Sequence, residues 1–496
     1  MATSRWQVRF AQERPMVPRN PLWFVNSLPP AEPGWLQAEG FETGCPYLIS
    51  PLFEYDVNLN NYFSKGMVGS ARKTKEAAAR DLASFLTFLW RSRGNRGWRD
   101  ADEDDHIAYS IWRRKDPAGP TVKGSTWNRE VATVNKFYWW AVRKGHVAAQ
   151  PIPQRVGYAP PAGHRGRGVH DGMRPATYSH EGTAENVSWL TPAAYRTWRD
   201  VGLRGFRRDG LPNNFFRGRW ADRNATYCDL MVRTGLRISE QSALSVLELP
   251  HDTELVGFQR FWLPLSIAKG ASARWVYVPP ALLSDLNLYI EVDRAELVDG
   301  ARGAGRYRWP RPWVIEDPRI AVATRRIDGL AQRMKLKDAE INVRREMLVD
   351  YEKGIEPVLF WLGESGMPLS VSAWKAIFRD ANKRCKGAGI NLSCHPHALR
   401  HTFAVVTLEQ LQRGHIDALG RQTPEQRRHY TRIFGDPLDW VRRRLGHRSV
   451  TSTMVYLHAL SELEMQTRMA LVPAEWDEVP TEVIAEDETD CGDTSD

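Results

Sequence analysis

Residues 151–187 constrain this chain more than any other stretch. The run PIPQRVGYAPPAGHRGRGVHDGMRPATYSHEG is dense in proline and glycine, with basic residues between. Proline removes backbone donors and fixes φ, while glycine is costly to order, so neither a long helix nor a central strand can pass through it. The chain must therefore fold as separate bodies on either side of a connector. At 496 residues with 42% apolar content, each side is long enough to bury a core of its own.

Upstream, residues 1–64 are rich in proline and aromatics (Trp6, Trp23, Trp35) without periodicity and read as an irregular extension that packs on the body. From 65 to 150 the pattern is helical. Leu82, Phe85, Leu86 and Leu89 recur at i, i+3, i+4 and i+7, DDHIAYSIWRRK places acids first and bases last, and Trp127, Val131, Val134 and Tyr138 share a face that ends near Gly145. Cations such as Arg72, Lys75, Arg113, Arg114 and Arg129 are expected on the outer faces of this bundle. Downstream, 188–474 opens with helices, and FQRFWLPLSIAKGASARWVYVPP then alternates as a β-hairpin with Lys269 at its tip. The fold class is mainly α with a small β-sheet (α+β). A charged, helix-like run lies within 285–356, and 475–496 forms an acidic tail.

Charge narrows the partner. The net charge is +9, but the tail holds ten acids and no Lys or Arg, so residues 1–474 carry +19. Such a body favours a polyanion, most simply nucleic acid. Five scattered cysteines argue against a disulfide framework and fit a reducing cytoplasm. Cys385, Cys394, His395 and His397 lack zinc-site spacing, so neither a metal nor a cofactor is expected. The N-terminus lacks an apolar signal core and no window reaches the ~18 apolar residues of a membrane span, so no membrane partner is expected.

Within this frame one constellation carries chemistry. HALRHTFA sets His397 and Arg400 three apart on a helical face, with Pro396 acceptable in the first turn. LGHRSVTSTMVYLH then sets His447 after a Leu445-Gly446 break and Tyr456 nine residues later, on a short helical run that Thr451 is placed to cap. Upstream, TGLRISE holds Arg237 and Glu240, a spacing that usually marks a helix-surface ion pair. A phenol would thus lie beside a basic, phosphate-sized pocket.

His-x-x-Arg, Leu-Gly-His and a tyrosine nine residues later, together with Arg237, resemble the signature of the tyrosine recombinase (phage integrase) family. The likeness extends over about residues 65–470. It implies a helical core-binding domain at 65–150, to which Thr126–Arg129 also contributes. It further implies a catalytic domain at 188–474 with insertions near 285–356 and 414–437, and excludes the extension and the tail. It implies that Tyr456 is the nucleophile and that Arg237 and Arg400 hold the phosphate. His447 would donate to it, His397 would assist proton removal, and Lys269 would protonate the leaving group. Tyr430 is a rival nucleophile but precedes His447, unlike the family tyrosine. The implied activity is site-specific DNA recombination through a 3′-phosphotyrosine and a Holliday junction, by an integrase or transposase of a bacterial mobile element. The implied partners are double-stranded DNA with inverted-repeat core sites, a homo-tetramer on synapsed DNA, and accessory DNA-bending proteins. A type IB topoisomerase and a catalytically silent DNA-binding relative remain as alternatives. The helical module argues against the first and the intact residue set against the second.

Overall fold

The structure is a computed structural model, and it describes residues 4–12, 41–156, 173–181, 187–250, 257–270, 272–327, 329–420, 436–457 and 459–460. The chain divides into two compact units, Met1–Thr183 and Ala184–Asp496. It is mainly α with small β-sheets.

The first unit is built on three helices, α2 (Arg72–Ser92), α3 (Glu103–Arg114) and α4 (Gly124–Arg143). Phe85, Leu86, Leu89, Tyr109, Trp127, Val131, Val134, Phe137 and Tyr138 are buried together at their centre. Asp102 and Asp105 close a reciprocal capping box that starts α3. The extension expected to be irregular is ordered where it is described. Strand β1 (Gln7–Phe10) pairs antiparallel with β2 (Pro46–Ile49), and α1 (Val57–Asn61) continues into a π-helical turn. Cys45, Leu48, Leu59 and Phe63 lie in the same core as the helices. Parts of the connector are structured as well, since β3 (Gln154–Val156) pairs with β4 (Met173–Pro175). Glu181 then pairs with Arg114 and accepts the Gly124 N–H at 2.9 Å.

Several cations expected on outer faces are not free. Lys75 is buried and bonds Glu42 at 2.9 Å, Arg113 forms a forked pair with buried Glu130, and Arg129 grips buried Asp81. The partners lie far away in sequence, so helical periodicity could not reveal the pairs.

In the second unit, α5 (Pro192–Thr197), α6 (Ala221–Thr234), α8 (Pro280–Tyr289), α11 (Val371–Gly387) and the first turns of α12 (Pro396–Gly420) enclose the main core. The expected hairpin is present, β5 (Gln259–Leu263) pairing with β6 (Arg274–Val278). Phe261, Leu263, Val276 and Val278 face in, while Trp262 and Trp275 face out. After α9 (Ala295–Gly303) the charged run expected to be helical instead forms most of a five-stranded sheet. Its order is β11 (Gly354–Pro357), β10 (Met347–Tyr351), β7 (Trp313–Ile315), β8 (Val322–Ile327), β9 (Leu330–Lys335), with only β10 and β7 parallel. The Asp328-Gly329 pair between two six-residue strands is the hairpin signal that overrides helix propensity. A second, smaller cluster of Phe403, Ala404, Leu408, Leu438, Val441 and Leu445 joins α12 to α13 (Pro437–Leu445) and includes Tyr456. Among the described residues no helix is long and apolar enough to cross a membrane. Tyr430, most of the second expected insertion, and the acidic tail lie outside the described residues.

Candidate active site

Two helix ends make the floor of the site. α6 stops at Gly235 and α13 at Gly446, both left-handed, with φ of +67° and +66°. A side chain at either glycine would be strained and would also collide, with Phe403 at 2.4 Å and with Ser272 at 2.8 Å respectively. Each end leaves unpaired carbonyls that carry the negative pole of the helix. Arg400, one turn into α12 and 3% exposed, donates Nη1 to the Gly235 carbonyl and Nη2 to the Leu445 carbonyl. Arg274 Nε donates to the Arg444 carbonyl at 2.8 Å. Two helix termini thus stabilise guanidinium charges that burial alone would not tolerate. Burial, then Arg237 and Arg274, pull Arg400 down to about 9, so it remains charged at neutral pH.

The carboxylate that balances this cluster is Glu240, on the short helix α7 (Ile238–Gln241), and it is fully buried. It is no surface ion pair. Glu240 accepts Arg237 Nη1 at 2.9 Å and Arg274 Nη2 at 2.7 Å, together with the backbone N–H groups of Arg237 at 3.0 Å and Lys269 at 3.2 Å. Burial pushes its carboxyl up, but Arg274 and Arg237 outweigh this and hold it at about 2. One anion therefore orients an arginine of the pocket and fixes the hairpin tip on which the Lys269 side chain stands exposed.

Tyr456 lies on a helical turn spanning 451–457 and is only 2% exposed. Thr451 does not cap this turn; the Ser449 hydroxyl accepts the Thr451 N–H at 3.2 Å. The phenol is not activated in this state. Burial raises its pKa, and the opposing pull of Arg400 and Arg237 is too small to reverse that. Its ring lies nearly parallel to that of His447, centroids 6.3 Å apart at 14°. His447 Nδ1 is engaged by the Thr453 hydroxyl at 3.0 Å, which leaves Nε2 for a ligand. Burial, then Arg400 and Arg237, draw the imidazole of His447 down to about 4.

Arg237, Arg400, His447 and Tyr456 thus share one site, with Arg400 and Arg237 acting together on the phenol. His397 stands at the rim with part of its ring in solvent, its pKa lowered by partial burial and by His395, Arg400, Lys269 and Arg237. It is not the group bonded to the phenol. That partner is His401, whose Nδ1 lies 3.0 Å from the Tyr456 hydroxyl. His401 follows His397 by four residues, hence on the same helix face, and this spacing was the available signal. The histidines, cysteines and carboxylates among the described residues form no cluster able to hold a metal ion.

Residues 66–145 match the family model described as the phage integrase N-terminal SAM-like domain. No curated protein sequence matches the chain. Among solved structures, the XerA recombinase is 15% identical, with 83% of this chain and 96% of that one aligned at a TM-score of 0.30. The Tn1549 transposon integrase, in complex with a circular intermediate DNA, is 14% identical over 83% and 98% of the two chains at a TM-score of 0.45. A lambda integrase dimer bound to a core site is 11% identical over 79% and 90% at 0.41. The first unit thus carries a module that matches the phage integrase N-terminal SAM-like domain.

Proposed function

We propose that this protein is a site-specific DNA recombinase that cuts and rejoins strands through a 3′-phosphotyrosine, serving as the integrase or transposase of a mobile element. The observation that carries this reading is a single phenol, Tyr456, under the joint influence of two buried or half-buried guanidiniums, Arg400 and Arg237. Planar guanidiniums suit the two non-bridging oxygens of a phosphodiester, and a low-dielectric floor strengthens their hold on charge that develops in the transition state. Tyr456 attacks phosphorus, the bond to the 5′ oxygen breaks, and Lys269 gives that oxygen its proton. His447 Nε2 completes the phosphate contacts. The phosphotyrosine keeps the bond energy, so a 5′-hydroxyl can reverse the step without ATP.

The DNA partner is a duplex with inverted-repeat core sites, and two such sites synapse through a tetramer and exchange strands by a Holliday junction. The test mixes purified protein with two duplexes carrying the terminal repeats of the DNA segment that encodes it. Covalent adducts and four-way junctions confined to those repeats support recombination. Relaxation of any supercoiled DNA by monomers identifies a type IB topoisomerase and overturns the reading.

A further inference from the structure

The nitrogen that meets the Tyr456 hydroxyl belongs to a histidine with no part in the scheme above. His401 Nδ1 lies 3.0 Å from that oxygen, with ring centroids 5.7 Å apart at 52°. His397 sits one helical turn earlier, exposed, its centroid 6.4 Å from that of His401. His447 stacks along the phenol, but its Nδ1 is taken by Thr453. We propose that His401 is the base that takes the phenolic proton of Tyr456 when the tyrosine attacks DNA, a role resting on the strand-transfer reading given above.

Three observations support the assignment. The contact is direct, and a general base must be within hydrogen-bond reach of the proton it removes. The imidazole is neutral at physiological pH, because burial together with His397, Arg400 and His395 holds it near 4, so one ring nitrogen carries a free lone pair. The phenol needs such an acceptor, since burial opposes its ionisation more than Arg400 and Arg237 favour it. The groups that face this pair are His395 just before α12, His397 and Arg400 on α12, Arg237 beside α7, and His447 before the last turn. Burial first, and then the nearby His397, Arg400 and His395, make the resting imidazole a weak base. A bound phosphodiester brings a negative charge into their midst, so His401 gains basicity when the substrate arrives. In the step, the Tyr456 O–H bond breaks and its proton passes to Nδ1. The oxygen then bonds phosphorus, and the 5′ oxygen leaves with the Lys269 proton. On rejoining, His401 returns the proton to the departing phenol.

The test measures covalent adduct formation on a nicked duplex bearing the terminal sequence of the encoding DNA segment, from pH 5 to 9. The proteins compared are the wild type, His401→Asn, His401→Ala, His397→Ala and Tyr456→Phe. Asparagine keeps a hydrogen-bonding group near the position of Nδ1 but cannot take a proton. With DNA affinity retained, His401→Asn should slow adduct formation about 100- to 10,000-fold, and its rate should climb with pH across the range where the wild type levels off. His397→Ala should keep the wild-type profile shape. The proposal is overturned if His401→Asn has the wild-type rate and profile, if Asn restores what Ala loses, or if His397→Ala alone abolishes the plateau. An adduct that survives Tyr456→Phe would overturn the strand-transfer reading instead, which is a separate failure.

Discussion

Glu240 and Arg274 meet at 2.7 Å where neither side chain has more than a few per cent of its surface in solvent. Removing one partner of such a pair leaves an uncompensated buried charge, a cost of about 3 to 5 kcal/mol. Glu240→Gln should therefore lower the stability of the full chain by that order in urea titration. It should also loosen the Lys269 tip, read as faster amide exchange at Lys269. Stability within about 0.5 kcal/mol of the wild type would contradict this account of the network.

Tyr456→Phe removes the hydroxyl and its bond to His401 but leaves the ring in its cluster. The expected outcome is complete loss of covalent attachment, with DNA affinity nearly unchanged and stability lower by about 1 kcal/mol. Tyr430→Phe should keep attachment. Denaturing gel analysis of both variants decides between the two tyrosines.

Three histidines, His106, His401 and His447, are held near 4, in each case mainly by burial. Their ordinary value is about 6.5, so between these limits the unfolded chain binds protons that the native chain refuses, and stability rises with pH. Stability is fully present above about pH 6.5 and is lost as the pH falls toward 4. His106, 1% exposed, is the cleanest reporter. In urea denaturation across that window, His106→Asn should reduce the pH slope by about one proton.

Ten carboxylates beyond Ala474 are placed in the chain to compete with DNA for basic surface. Deleting 475–496 should tighten non-specific DNA binding and steepen its decline with salt. Identical salt titrations for the two proteins would sink the competition.

The helix bearing His397 and Arg400, the break at Gly446 and the Lys269 hairpin were legible because each rests on spacing within a few residues. What was not legible depended on distance along the chain. Nothing in TGLRISE tells that Glu240 is fully buried, because its second arginine arrives 34 residues later on β6. Lys75 reads as a solvated base until Glu42 is brought to it. The run 325–354 was misjudged because its charges resemble a solvated helix, although Asp328-Gly329 marks a hairpin. His401 was passed over because a motif read by its named positions hides the neighbour that shares their face. Nor does the sequence display the burial of Tyr456, which raises its pKa against the pull of Arg400 and Arg237.

The five-stranded sheet is stitched to the second unit's core by Arg344, which no solvent reaches. Its five N–H groups go to the carbonyls of Ala243, Leu336 and Ala339 and to both oxygens of Glu248. The sheet is therefore not removable cargo. An engineer trimming the chain to a minimal scaffold by excising 313–357 would strip the guanidinium from Glu248 and Ala243, a few residues beyond the helix that orients Arg237. The tolerant place to graft a tag or a targeting module is at Gly329, which is exposed and has open space within 4 Å.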